Sequence, residues 1–311
     1  MINPIFASSA RRRMRSMRTV IILTLYGVLM LAYVAASIFT VLGGRTVTIS
    51  SMRVGLDHYI YSVALQFVLL LLVAPGMTAG AISGERERQT LDLILVTHMG
   101  SFKIAVGKLM ESFSFIVLVL FSSFPMLCVV LLFGGISLAQ VLTVLLFMCV
   151  SALGALSVGL FVSSIFKRTS IATVASYLAI FAIGIGTLVV PMAMKNDEII
   201  RYMNNPDLLA SLDSGTVLAA LPKLPFMNPG IGLLSLMADQ TGLLERTFQI
   251  IPSGYIYYQL FEKVDFGLIA WINMGIVFVA SLILTFLSAL LIRPRVSRVR
   301  GGRKVAKELA A

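Results

Sequence analysis

Long apolar runs separated by short polar stretches dominate the chain. A helix that crosses a bilayer needs about 20 mostly apolar residues, and six runs reach that length. The pattern therefore predicts an all-α membrane protein with six transmembrane helices. They are expected at Val20–Leu42, Tyr59–Ile82, Ile104–Phe133, Leu138–Phe166, Ser170–Met194 and Phe266–Ile292.

The remaining segments complete the domain organisation. Residues 1–19 form a basic arm before the first span, and residues 20–194 hold spans one to five. Residues 195–265 link the fifth span to the sixth, which occupies residues 266–292, and residues 293–311 form a basic tail.

The distribution of basic residues predicts the orientation of the chain. The net charge is +11, and most of the 25 Lys and Arg residues lie in the arm, in the links after the second and fourth spans, and in the tail. Because basic loops stay in the cytoplasm, both termini are predicted to be cytoplasmic. The link over residues 195–265 is then extracellular. Its apolar pieces around Ile231–Met237 are too short to span, so we expect them to cap the bundle or to lie at the outer interface.

Composition excludes several classes of protein. Hydrophobic residues make up 58% of the chain and charged residues 13%, whereas soluble domains have about 45–50% and about 25%. A soluble domain and a disordered chain are therefore both excluded. The basic residues lie at membrane edges, where they meet the lipid membrane, so no nucleic-acid partner is expected.

The sequence offers little for catalysis or metal binding. In this topology His58 and His98 fall on opposite sides of the membrane, and Cys128 and Cys149 lie in apolar runs without a CxxC motif. No phosphate-binding loop is present, since Leu109 stands where a Ser or Thr would bind magnesium. We expect that the chain is not an enzyme and holds no cofactor or metal.

The charged segment after the second span is the most informative part of the sequence. It places acidic residues at a helix start, where the helix dipole favours them, followed by Leu91, Ile94 and Leu95 at helical spacing. This pattern predicts a short amphipathic helix over residues 85–96 on the cytoplasmic surface. Two interpretations remain open: an interfacial helix in the lipid headgroups, and a docking helix for a cytosolic partner.

Glycines at intervals of four form a ridge at the cytoplasmic end of span two. Gly76, Gly80 and Gly84 lie on one helix face, and such ridges let helices approach closely. The ridge either packs within the chain or forms a moving face or a contact between subunits.

Polar side chains are rare inside the spans. Lys108 and Glu111 lie three residues apart and are expected to pair. Gln66, Tyr177 and Asn273 are isolated polar residues, which we interpret as interhelical hydrogen-bonding groups rather than ligands.

The stretch from Ser83 to Leu109, SGERERQTLDLILVTHMGSFKIAVGKL, resembles the signature of ABC type-2 permeases. These proteins are the membrane subunits of many bacterial ATP-binding-cassette exporters. The arm, with Asn3-Pro4 and the run Arg13-Met14-Arg15, is similar to the amphipathic elbow that precedes the first span in the family. The residues that match the signature are Gly84, Glu85, Arg86, Thr90, Leu91, Asp92, Leu95, Gly107 and Lys108.

The resemblance implies a function and a set of partners. The chain would be the permease subunit of an ATP-driven exporter in the bacterial inner membrane, paired with an identical or different second permease subunit. A separate cytosolic ATPase would bind ATP and magnesium. A non-transporting membrane sensor or assembly factor is the alternative function.

The resemblance also implies roles for particular residues. The helix over residues 85–96 would be the coupling helix, which docks into a groove on the ATPase. Its coupling residues would be Glu85, Arg86, Thr90, Leu91, Asp92 and Leu95. Because spans two and five line the pathway in the family, the pathway candidates are Gln66, Gly76, Gly80 and Tyr177.

Overall fold

A computed structural model of the protein describes residues 17–43, 50–91, 100–133, 136–194, 227–242 and 266–292. Regular structure in these ranges is helical, which confirms the predicted all-α fold. Residues 1–16 of the elbow, the basic tail, Asp92, Leu95 and His98 lie outside the described residues. The helices are α1 (Met17–Gly43), α2 (Ser50–Thr78), α3 (Ser83–Glu87), α4 (Ser101–Phe133), α5 (Leu138–Ile165), α6 (Thr169–Met194), α7 (Pro229–Thr241) and α8 (Phe266–Leu291).

Five of the described helices are long and apolar enough to cross a bilayer, namely α2, α4, α5, α6 and α8. The apolar part of α1, Val20–Ala36, is shorter. The chain is therefore a multi-pass membrane protein, and the predicted sixth span depends on α1.

Helix α5 lies at the centre of the bundle and packs against α2, α4, α6 and α8. It begins with a capping box, in which Ser137 and Gln140 satisfy each other's backbone N–H groups. Small residues let its neighbours come close. A Cβ atom at Gly159 would overlap Thr78 Oγ1 and lie 3.1 Å from the carbonyl oxygen of Pro75. The α2 backbone therefore touches α5 at a position that only glycine fits.

Contacts along the long helices define two ends of the bundle. At one end, which we call the α3 end, α3 contacts α5 and α6 and is bonded to α4. At the other, the α7 end, α7 packs against α8 and α5. The Tyr59 hydroxyl, near the start of α2, donates to Gln240 Oε1 at the end of α7 over 2.6 Å. Helix α2 therefore runs from the α7 end to the α3 end, and consecutive spans from α2 onwards alternate in direction.

Helix α7 is a short apolar helix seated in the bundle. Its N-cap residue Asn228 accepts a hydrogen bond of 2.8 Å from Gly230 N, and its C-cap residue Gly242 has the left-handed φ of 64° that often ends helices. All residues from Ile231 to Ala238 are buried. Of the two expectations for this apolar piece, packing against the bundle is the one observed.

The predicted continuous helix over residues 85–96 is wrong in its geometry. Helix α3 ends at Glu87, and Gln89 has a φ of 58°. The Thr90 N–H donates to the Glu85 carbonyl over 2.9 Å, which satisfies a group that the helix end would leave without a partner. Leu91 is again helical, and residues 92–96 lie outside the described residues. Within residues 85–91, the left-handed Gln89 interrupts the predicted helix.

Candidate functional site

Glu85 on α3 is bonded through both carboxylate oxygens. Lys108 Nζ, from α4, donates to Glu85 Oε1 over 2.9 Å, and the two side chains are 16% and 26% exposed respectively. Thr90 Oγ1 donates to Glu85 Oε2. Charge-assisted bonds of this kind are stronger than neutral ones, so the pair holds α3 to α4. The predicted pair of Lys108 with Glu111 stays a prediction.

A serine from α5 caps the start of α3. Ser163 Oγ accepts hydrogen bonds from the backbone N–H groups of Ile82 and Ser83, each over 3.0 Å. It also donates to Ser83 Oγ over 3.2 Å. The first N–H groups of a helix have no partner within it, and here α5 supplies that partner.

Arg86 and Glu87 bond to the adjoining ends of α5 and α6. Arg86 Nη1 donates to the carbonyl oxygen of Phe166, the C-cap residue of α5, over 3.4 Å. Glu87 Oε2 accepts from Thr169 N over 3.1 Å and from Thr169 Oγ1 over 2.7 Å at the start of α6. Each charge has the sign that the dipole of the helix end it meets favours.

The segment Glu85-Arg86-Glu87 is therefore a junction of three helices. Its side chains bond in turn to α4, to the end of α5 and to the start of α6. We call this set of contacts the α3 junction. A displacement of α3 would act on all three helices at once.

The family comparison identifies the class of protein to which this junction belongs. The sequence model described as ABC-2 family transporter protein matches residues 44–290. The chain belongs to this family. It is a membrane permease of an ABC transporter, which confirms the resemblance read from the segment after span two. None of the curated proteins matches the chain.

The ABC-2 family match covers α2 to α8, including the whole α3 junction, and begins after α1. Among the described residues of this permease, no group of three or more His, Cys, Asp or Glu side chains lies close enough to hold a metal ion. The described junction is built from the Glu85–Lys108 ion pair and hydrogen bonds.

Of the coupling residues predicted for the permease, Glu85, Arg86 and Thr90 are half-buried. The exposed residues of this segment are Glu87, Arg88 and Gln89, which the prediction did not include. Leu91 is only 7% exposed and belongs to the main buried apolar cluster. A partner that approaches the described part of this segment meets the three exposed polar residues, while Leu91 packs inside the chain.

Three of the four pathway candidates meet at the contact between α2 and α6. The Tyr177 hydroxyl donates to the Leu72 carbonyl over 2.9 Å and lies 2.7 Å from where a Cβ of Gly76 would be. A Cβ at Gly80 would lie 3.1 Å from Thr169 Cγ2. Gly76 and Gly80 therefore pack within the chain, and a role of the glycine ridge as a moving face or a contact between subunits stays a prediction.

The fourth pathway candidate lies elsewhere. Gln66 is buried between α2 and α4, where its Nε2 donates to Ser123 Oγ. Asn273 Nδ2, on α8, donates to the carbonyl oxygen of Asn228 over 3.0 Å. The prediction that Gln66, Tyr177 and Asn273 make interhelical hydrogen bonds is confirmed. Their role in a pathway stays a prediction.

Sequence reasoning missed Thr169 of the α3 junction and Ser163, which caps the start of α3. Thr169 had a usable signal, because it stands after Lys167-Arg168 and directly before an apolar run, which is typical of a helix start. Ser163 lies within an apolar run, and its neighbours in the sequence give no sign of a contact with residues about 80 positions earlier.

Proposed function

We propose that this permease is one membrane subunit of an ATP-driven exporter in the bacterial inner membrane. It has six spans, with α1 as the first, and both termini in the cytoplasm. It works with a cytosolic ATPase, which binds ATP and magnesium, and with a second permease subunit. The α3 junction is the coupling element between the ATPase and the spans.

The observation that carries this proposal is that three consecutive charged residues bond to three different helices. Packed helices shift as units rather than deform. A displacement of α3 would therefore be passed through its hydrogen bonds to the helices that it contacts. A push by the ATPase on α3 would therefore act on α4, α5 and α6 at once. Such a displacement would change the contact that α6 makes with Gly76 and Gly80 through Tyr177 and Thr169, which is why we assign Gly76, Gly80 and Tyr177 to the pathway.

The docking surface proposed for the ATPase is the exposed group Glu87, Arg88 and Gln89. It lies at the α3 end, where the links after the second and fourth spans carry basic residues. Such residues favour the cytoplasmic side, which is where an ATPase would reach them. Asp92 and Leu95 would extend the docking surface beyond the described residues.

Docking is tested by purifying the full chain in nanodiscs from its native membrane and identifying co-eluting proteins by mass spectrometry. We expect one ATPase per permease, lost in Arg88→Glu. Asp239→Lys is the control, because it reverses one exposed charge at the α7 end. Retention of the ATPase in Arg88→Glu would contradict the docking surface. Absence of any ATPase from the wild type would favour the sensor or assembly function.

Coupling is tested separately with Thr169→Val, which removes the hydroxyl bonded to Glu87 and keeps the shape of the side chain. We expect the ATPase to remain bound while the permease-dependent change in its hydrolysis rate falls by at least about fivefold. Thr173→Val is the control, since among the described residues Thr173 Oγ1 donates within its own helix, to the Thr169 carbonyl. Equal effects of the two variants would contradict coupling through Glu87.

A further inference from the structure

A cavity of about 320 Å³ lies between α5, α6, α8 and the start of α7. Its walls include Ala155 and Val158 of α5, Ile183 of α6, and Ala280 of α8, and Met227 and Asn228 border it where α7 begins. Pockets that bind small molecules measure about 300–1,000 Å³, so this cavity has room for one small ligand or part of a larger one.

The cavity has a buried floor and an exposed rim. On the floor, Ala155, Val277 and Ser281 are all buried. At the rim, Ile183 is 42% exposed and Met227 51% exposed. Ile183 lies on α6, a helix long and apolar enough to cross the membrane, and Met227 lies just before α7. The exposed side chains at the opening are apolar, so we infer that the cavity opens towards the bilayer rather than towards water.

Three of the four polar side chains on the described wall, all but Ser151, bond to the protein. Asn228 Nδ2 donates to the Gly184 carbonyl over 2.8 Å and to Thr187 Oγ1 over 2.9 Å. Thr187 Oγ1 itself donates to the Ile183 carbonyl, and Ser281 Oγ donates to the Phe278 carbonyl. Ser151 contributes the one other side-chain hydroxyl of the lining. A polar ligand would lose its hydrogen bonds to water here and find few partners in the protein to replace them. A hydrocarbon chain has no such hydrogen bonds to lose.

We propose that this cavity binds the hydrocarbon chain of a bilayer lipid or of a single-chain amphiphile dissolved in the bilayer. An empty apolar cavity forfeits dispersion contacts along its whole lining, and its cost rises with its volume. Hydrocarbon chains adjoin the rim at the depth of the spans, so filling the cavity requires no transfer from water. The site is independent of the α3 junction and of the proposed coupling.

The test uses the full chain in nanodiscs of phosphatidylethanolamine and phosphatidylglycerol, with two photoreactive probes. One is a phosphatidylcholine with a diazirine in its acyl chain, and the other is a free fatty acid with the same group. After irradiation, labelled peptides are mapped by mass spectrometry. The floor residues 151–158 of α5 report the cavity, and the exposed Leu142 and Leu146 report ordinary lipid contact.

We expect label on residues 151–158 in the wild type and about a tenfold loss in Ala280→Phe, with label at Leu142 and Leu146 unchanged. Val279→Phe is the control, because this neighbouring side chain is 54% exposed and faces away from the cavity. Ala280→Ile, a smaller filling change, serves if Ala280→Phe fails to fold. Label from both probes identifies a bilayer lipid, and label from the fatty acid alone identifies a single-chain amphiphile. The proposal would be overturned by a wild-type protein in which residues 151–158 carry no label. It would also be overturned if these residues were labelled equally in the wild type and in the filled variants.

Discussion

Neutralising Glu85 and Lys108, singly and together, measures how strongly α3 is held to α4. The nitrogen–oxygen distance is 2.9 Å. At this separation Coulomb's law gives about 1.4 kcal/mol in water and about 6 kcal/mol at an effective dielectric constant of about 20. The side chains are partly exposed, and desolvation offsets part of the attraction. We therefore expect a coupling energy of about 1–3 kcal/mol.

The assay is a double-mutant cycle of Glu85→Gln, Lys108→Gln and the double variant. The free energy of unfolding is measured for each purified protein by titration with a denaturing detergent. Each single variant leaves one charge without its ion-pair partner, so the double variant should be more stable than the sum of the single effects predicts.

The control cycle combines Glu85→Gln with Lys167→Gln, an exposed cation in the turn between α5 and α6. Independent sites add to within about 0.3–0.5 kcal/mol, and we expect this pair to do so. A coupling energy for Glu85 and Lys108 within that same range would refute the reasoning, because α3 would then be held by its other contacts alone.

Two further predictions concern the packing of the bundle, and both are measured as thermal unfolding in detergent. Gly159→Ala should destabilise the protein by about 1–3 kcal/mol, because the added methyl group overlaps atoms of α2. Gly186→Ala is the control, because nothing lies within 4 Å of the new Cβ, and it should be neutral or stabilising by up to about 1 kcal/mol. Equal effects of the two variants on stability would contradict the close approach of α2 to Gly159. Asn228→Ala removes a helix cap and two interhelical bonds, so we expect a loss of about 2–4 kcal/mol. Met227→Ala, at an exposed neighbour, should change stability by no more than about 0.5 kcal/mol, and a loss as large as that of Asn228→Ala would argue against the cap.

The long helices could be predicted because length and apolar composition alone define a span. The predicted span Leu138–Phe166 corresponds to α5, which ends at Ile165, and the span Phe266–Ile292 corresponds to α8, which ends at Leu291. Burial inside the bundle was harder to predict. Helix α5 is apolar on nearly every face, so its sequence does not show that it is the central helix.

The interior of the candidate site could be predicted only in part. The signature placed Glu85 and Arg86 in a functional segment, and both belong to the α3 junction. The left-handed Gln89 could not be foreseen, since neither glycine nor proline marks the break. Leu91 followed helical spacing, but spacing does not say whether an apolar face meets a partner or the chain's own core.

The contacts of α7 set an order for the biogenesis of the protein. Its cap, Asn228, bonds to Gly184 and Thr187 of α6, which leave the ribosome earlier. The backbone carbonyl of the same residue accepts from Asn273 of α8, and α8 covers much of α7. A nascent chain that stops before α8 would leave the apolar residues Ile231–Ala238 without their main cover. We therefore expect α7 to reach its buried position only after α8 has been made.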